Sequence, residues 1–140
     1  MATITTNFDS AASEATGHVY RVRELLHWTY GLVPIVAGAD KFAHLLTNWD
    51  KYLAPAVADI LPFAPHTFML IVGVVEIIAG IIVLVKPKIG SLIVGCWLIG
   101  IVINLLIQGE YLDVAVRDAV MAIGAFALYM LSDNVKHHVA

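Results

Sequence analysis

Two uninterrupted apolar runs constrain this chain more than any other feature. Residues 67–85 contain one charged residue, Glu76, and residues 90–108 contain none. Each run has close to the length of about 20 residues that a helix needs to cross the hydrocarbon core of a bilayer. Because a backbone in lipid must satisfy its own hydrogen bonds, runs of this length predict membrane-spanning helices.

The composition of the whole chain agrees with this prediction. Of its 140 residues, 60% are hydrophobic and 14% are charged, and the mean hydropathy is +0.85. Soluble domains average about 45–50% apolar and about 25% charged residues. The net charge is −3 and no basic block is present, which argues against a nucleic-acid partner. The single cysteine, Cys96, excludes an intrachain disulfide and a cysteine-rich metal motif.

Two further windows, residues 25–46 and 112–132, complete a set of four spans. The sequence therefore predicts an all-α protein, a transmembrane four-helix bundle over residues 23–133. Residues 1–22 are expected to form a loosely ordered tail, because they are polar and lack the basic and apolar regions of a signal peptide. Residues 134–140 form a second tail. Pro34 is expected to kink the first span rather than end it.

Lysine and arginine residues lie mainly at one end of the expected bundle. They precede the first span, fill the connection between the second and third spans and follow the fourth, as Arg21, Arg23, Lys86, Lys88 and Lys136. Cytoplasmic loops carry such an excess of cations. We therefore expect both termini in the cytoplasm, and the protein in the cytoplasmic membrane of a bacterium or archaeon.

The long connection between the first two spans should lie on the outer side. Asn48 can cap a short helix and Pro55 can begin another. Apolar residues between Leu53 and Leu61 recur at helical spacing. They predict a short amphipathic helix on the outer surface that ends near Pro62, either as a plug over the bundle or as a lid over a substrate site.

Every expected span contributes polar side chains to the outer half of the bilayer. A charged group at the bilayer centre costs roughly 2.5–3.5 kcal/mol on insertion scales, and such groups usually face the bundle interior or water. An outward-facing polar pocket is the functional prediction. Its candidate residues are Asp40, Lys41, His44, Glu76, Trp97, Asn104, Arg117 and Asp118.

Charge pairing divides these residues into roles. Arg117 stays protonated in a protein and needs a carboxylate, for which Glu76 and Asp40 are the candidates. Lys41 and Asp118 could form a second pair. Glu76 and Arg117 are assigned the catalytic role and the other six residues the binding role. A buried ionic network can instead be only structural, fixing the register between helices.

Glycine and histidine spacing adds two expectations. Gly31 and Gly38 are seven residues apart in the first span, and Gly73 and Gly80 repeat this spacing in the second. We interpret them as helix-packing positions, since small residues let helices approach closely. His44 and His66 should lie at a similar height, but a metal or haem shared between them is not favoured, and no metal site is assigned.

The assembled residues resemble the DoxX family of small four-helix membrane proteins over residues 23–131. The resemblance rests on three sets: Gly31, Gly38, Lys41 and Phe42 in the first span; Gly73, Glu76 and Gly80 in the second; and Arg117, Asp118 and Gly124 in the last. It implies a left-handed four-helix bundle and pocket roles for Lys41, Glu76, Arg117 and Asp118. It also implies a link to redox chemistry, because the family includes the membrane subunit of thiosulfate:quinone oxidoreductase.

Two functions fit these observations best. The first is the quinone-side membrane subunit of an oxidoreductase, in which the binding residues hold the ring oxygens and Glu76 relays a proton. The second is a non-catalytic subunit that anchors or stabilises a larger membrane complex. Both require a protein partner in the bilayer, and the first suggests quinone as the cofactor class. A homo-oligomer that passes solutes or protons ranks below them.

Overall fold

The computed structural model describes the backbone of residues 2–139 and the side chains of residues 2–133. Met1, Ala140 and the side chains of residues 134–139 lie outside it. The elements are α1 (Ala2–Ala43), a 3-10 turn (Trp49–Tyr52), α2 (Pro55–Ala58), α3 (Pro65–Val85), α4 (Pro87–Gln108) and α5 (Leu112–Val139). The prediction of an all-α protein is confirmed.

Local sequence explains where the long apolar helices begin and end. Pro65 and Pro87 occupy the first positions of α3 and α4, where the missing N–H of proline has no helical partner to lose. Gly109 ends α4 with φ 77°, a left-handed conformation that glycine adopts easily. The predicted windows for α3, α4 and the apolar part of α5 agree with these limits to within three residues.

Within the described residues, three helices are long and apolar enough to cross a membrane. They are α3, α4 and the part of α5 from Leu112 to Asp133. α1 was expected as the first of four spans, but polar residues such as His27, Asp40 and Lys41 lower the hydropathy of its second half, and it is not among the three. α1 continues through Pro34, as predicted.

The long helices pack as two pairs that are joined side by side. α1 lies along α3, α4 lies along α5, and the contact between α3 and α4 connects the pairs. The shared core contains Tyr30 of α1, Val83 of α3, Leu98 of α4, and Ala125 and Leu128 of α5. α1 therefore contributes to the same core as the three apolar helices.

Glycine allows α1 and α3 to approach each other closely. A Cβ atom at Gly38 would lie 2.4 Å from the carbonyl oxygen of Gly73, and one at Gly80 would lie 2.5 Å from that of Gly31. No side chain fits at these distances. The seven-residue glycine spacing in both helices thus marks a packing contact, as predicted, and we call it the glycine seam.

The first 22 residues differ from the loosely ordered tail that was expected. They belong to α1, and residues 2–22 are all exposed. Alanine is frequent here and proline does not occur, both of which favour helix. Threonine hydroxyls, such as that of Thr16, also bond backbone carbonyls within the helix. Because residues 2–22 are exposed, tertiary packing does not account for this helical tail, and its threonine, serine, asparagine and glycine residues are weak helix formers.

The connection over residues 44–64 contains less helix than expected. Asn48 caps the 3-10 turn and Pro55 begins α2, as predicted. α2 is a single turn, however, and Ile60 beyond it is 83% exposed. A short helix is therefore present in this loop, as predicted, but it ends at Ala58 and only single hydrogen-bonded turns continue to Leu61. A residue that precedes a proline rarely adopts the helical conformation, so Pro62 opposes extension of α2 through Leu61. The end of the bundle covered by residues 44–64 is called the loop end below.

Candidate functional site

A buried ion pair between α1 and α3 forms the centre of the site. Lys41 Nζ lies 2.6 Å from Glu76 Oε2, and the two side chains are 4% and 10% exposed. The glycine seam positions this pair, because Gly38 and Gly73, three residues from Lys41 and Glu76 respectively, bring the two backbones together. Removing one partner of such a pair leaves an uncompensated buried charge.

Trp49 closes the ion pair on the side of the loop end. Its ring centre lies 3.9 Å from Lys41 Nζ, which is a cation–π contact. Its indole N–H donates to Asp40 Oδ2 at 2.7 Å, and Asp40 also accepts from the backbone N–H groups of Leu45 and Leu46. Asp40 thus folds the chain that follows α1 back over the ion pair. Its carboxylate is engaged by the protein itself.

Asp118 of α5 brings a second carboxylate to the ion pair. Its side chain is 13% exposed and interacts electrostatically with Arg117 and Lys41, as well as with Glu76. We call Lys41, Glu76 and Asp118 the acid–lysine cluster. It contains one ammonium group for two carboxylates, drawn from three different helices.

Trp97 of α4 adds a hydrogen-bond donor beside this cluster. Its indole nitrogen is buried and has no hydrogen-bond partner among the described residues. It interacts with the Glu76 carboxylate as a hydrogen-bond donor, although the contact does not meet strict hydrogen-bond geometry. The indole N–H is therefore part of the polar surroundings of Glu76.

Asn104 of α4 holds the loop end in place. Its Oδ1 accepts from the backbone N–H of Ala54 at 3.1 Å, and its Nδ2 donates to the carbonyl of Tyr52 at 2.7 Å. Gln108, one turn further on, donates to the carbonyl of Lys51 at 2.7 Å. These amide side chains fasten residues 51–54 to α4, a contact that the sequence did not reveal.

Arg117 does not pair with Glu76, so that prediction is wrong. Its side chain is 66% exposed, and its Nε lies 3.8 Å from Asp118 Oδ1. Lys41 takes the place expected for Arg117 and bonds Glu76. Its expected pairing with Asp118 is limited to an electrostatic interaction. The buried face of α5 runs through alanines, at Ala115, Ala122 and Ala125. That spacing of small residues is the signal that could have oriented the helix correctly.

His44 lies in the loop end, apart from the acid–lysine cluster. It follows α1 with φ 53°, and its ring stacks on that of His66 with 5.5 Å between centres. The two rings, with Asn48 and Asp50, line a cavity of about 300 Å³. The prediction that the two histidines lie at a similar height is confirmed.

Two further contacts between helices were missed in the sequence. The Tyr30 hydroxyl donates to the carbonyl of Met121 at 2.6 Å, which connects α1 to α5. His27 Nε2 lies 3.0 Å from the carbonyl of Val83 and 3.1 Å from that of Leu84, in the last turn of α3. No local pattern marks either residue, because both contacts depend on how the helices are rotated.

The fold thus defines a helical protein with three helices suited to a bilayer and a buried charge cluster at one level of the bundle. A scan against protein-family models found no match, and comparisons with curated proteins and with solved structures found none either.

Proposed function

We propose that this chain is a four-span, DoxX-like integral membrane protein in which α1 supplies the additional span. The polar residues Asp40 and Lys41 lower the hydropathy of α1, yet both are buried within the protein. Charged residues that face the interior of a bundle are compatible with a membrane helix. The distribution of lysine and arginine supports an outward-facing loop end and cytoplasmic termini.

The acid–lysine cluster is, in this proposal, a proton-binding site that serves a quinone-type redox carrier. The observation that carries the proposal is an imbalance of buried charge: the ammonium group of Lys41 faces two carboxylates, those of Glu76 and Asp118. Arg117 pairs with Asp118 at 3.8 Å, but its side chain is 66% exposed, so it neutralises this carboxylate less completely than a buried cation would. A weakly screened site with surplus negative charge attracts a proton or another small cation.

Two features suit a quinone. The ring needs a hydrogen-bond donor and the tail needs an apolar surface, and Trp97 brings a buried indole N–H beside Glu76. An apolar groove of about 210 Å³ follows α1; it is lined by Leu32, Val33, Val36, Ala37 and Leu46. Trp49 covers Lys41. In this function its side chain acts as a gate, which rotates before the quinone ring enters.

In this proposal, the electrons that reduce the quinone come from outside this chain. Reduction of a quinone to a quinol takes up two electrons and two protons. A partner subunit that carries a redox centre supplies both electrons. One proton passes through the acid–lysine cluster, and the second comes from water at the loop end. The chain described here therefore acts as the membrane subunit of a redox complex rather than as a complete enzyme.

Extraction and mass spectrometry of the protein purified in mild detergent test this function. We expect a quinone to be retained by the wild type. We expect its retention to fall at least tenfold in Asp118→Asn, which removes one carboxylate charge from the cluster, because a lost hydrogen bond to a charged group amounts to about 1.5–3 kcal/mol. Arg117→Gln is the matched control, since it removes an exposed charge next to Asp118. Retention of phospholipid alone, or equal losses in both variants, would contradict the proposal.

A second candidate is a non-catalytic anchor of a larger membrane assembly. The observation that favours it is that Asp40, Asn104 and Gln108 all bind the protein's own loop. These side chains are then structural, and the acid–lysine cluster sets the register between helices. Co-purification of a partner complex whose turnover is unchanged by Glu76→Gln would support this function over the first.

A further inference from the structure

We propose that the loop end binds a transition-metal ion of the Zn²⁺ or Cu²⁺ class between His44 and His66. The cavity of about 300 Å³ described above is lined by these two histidines, Asn48 and Asp50. Imidazole nitrogen suits both ions. This site uses neither the acid–lysine cluster nor the apolar groove, so it does not depend on the proposed redox function.

The two imidazole rings have a separation suited to a shared metal ion. A zinc–nitrogen bond is about 2.0–2.1 Å long, so two rings bound to one tetrahedral ion have centres roughly 5 Å apart. The rings of His44 and His66 are 5.5 Å apart, and their planes are inclined by 28°. The rings are stacked, so a change of side-chain rotamer is needed to direct one nitrogen of each ring at a common ion.

Asp50 orients His66 in the way that carboxylates orient metal-binding histidines. Its Oδ2 lies 3.1 Å from His66 Nδ1, so a carboxylate at Asp50 places the ring proton on Nδ1 and leaves the lone pair of Nε2 free. The other oxygen, Oδ1, is buried and has no hydrogen-bond partner among the described residues. It is available to accept a hydrogen bond from a metal-bound water.

The backbone at His44 is a second, independent indication. With φ 53°, His44 lies in the left-handed region, which is unfavourable for a residue with a side chain. The position that follows a helix usually holds glycine or asparagine when it adopts this conformation. A ligand role would account for a histidine here, since strained residues cluster at functional sites.

The protein supplies two nitrogen ligands to this ion. Within the part of the chain that the structure describes, no group of three or more histidine, cysteine, aspartate or glutamate side chains is arranged to hold a metal. Water molecules complete the coordination. We therefore expect an exchangeable ion that links the end of α1 to the start of α3.

Copper binding to the full-length, tag-free protein tests this inference, with Cu²⁺ as the probe. His137 and His138 are replaced by glutamine in every sample, because adjacent histidines can bind copper on their own. Electron paramagnetic resonance reports the nitrogen ligands, and equilibrium titration reports stoichiometry and affinity. Circular dichroism and elution volume identify any variant that has lost its fold.

The protein in which only His137 and His138 are replaced is the parent of the other variants. It should bind one Cu²⁺ whose electron paramagnetic resonance spectrum shows coupling to two imidazole nitrogens, and Zn²⁺ should displace the copper. His44→Gln and His66→Gln should each remove the two-nitrogen spectrum and weaken binding at least tenfold. His18→Gln, which changes an exposed histidine in the helical tail, should have no effect. Asp50→Ala should weaken binding roughly 10–100-fold while keeping both nitrogens. Folded His44 and His66 variants that bind copper as the parent does would overturn the inference.

Discussion

Replacing Glu76 by leucine leaves the ammonium group of Lys41 buried without its bonded carboxylate. The two charged atoms are 2.6 Å apart and the Lys41 side chain is 4% exposed, so water cannot take the place of the carboxylate unless the helices move. Breaking a buried pair in this way costs about 3–5 kcal/mol. Asp118 and the ring of Trp49 still attract Lys41. We therefore expect a loss near the lower limit, about 3 kcal/mol.

Removing both charges should be far less harmful. In the double variant Lys41→Met, Glu76→Leu no uncompensated ammonium or carboxylate from the pair remains. Replacement of a buried ion pair by apolar residues of similar volume is often neutral or stabilising. The double variant should therefore recover most of the stability lost in Glu76→Leu. The resulting coupling free energy should be about 2–3 kcal/mol, in the upper range for residues in contact.

Unfolding titrations with dodecyl sulfate in mixed micelles measure these free energies. The wild type, both single variants and the double variant form one cycle. Arg117→Leu is the control, because it removes a mostly exposed cation from the same level of the bundle; its effect should stay within about 0.5 kcal/mol. Additive losses in the double variant, or a loss in Arg117→Leu as large as in Glu76→Leu, would refute the assigned pairing.

Three further predictions concern the framework around the cluster. Gly38→Ala should lower the free energy of unfolding by about 1–3 kcal/mol, because its methyl group would lie 2.4 Å from the carbonyl oxygen of Gly73. Gly100→Ala is the matched control: its methyl group would meet no atom within 4 Å, so this variant should be as stable as the wild type in the same titration. Asn104→Ala should speed hydrogen exchange at the Ala54 amide, which loses its acceptor, and unchanged exchange would show that the loop is held in another way. His27→Ala should destabilise by about 1 kcal/mol through the loss of its hydrogen bond to the last turn of α3, and equal stability in thermal unfolding would contradict that bond.

The helices were predictable because their signals are local. Apolar length located α3 and α4 to within three residues. The glycine repeats were also interpreted correctly as helix-packing positions. Each of these features depends on neighbours along the chain, which a single sequence contains in full.

The charge pairing was less predictable because it depends on helix rotation. One residue turns a helix by about 100°, so a one-residue error exchanges Arg117, which is exposed, for Asp118, which is largely buried. The choice of Lys41 as the partner of Glu76 also depends on Trp49, which reaches Lys41 from the loop end. That contact depends on the path of the chain after α1. No periodic pattern in the sequence indicates this path.

Magic-angle-spinning NMR in lipid bilayers gives the most direct test of the buried cluster. Protein labelled with ¹⁵N in lysine side chains and with ¹³C in glutamate carboxyl groups reports contacts between the two by dipolar recoupling. The 2.6 Å contact between Lys41 Nζ and Glu76 Oε2 predicts a strong cross-peak that disappears in Lys41→Met. A wild-type spectrum without that cross-peak, or one whose cross-peak survives Lys41→Met, would contradict the central place of this ion pair.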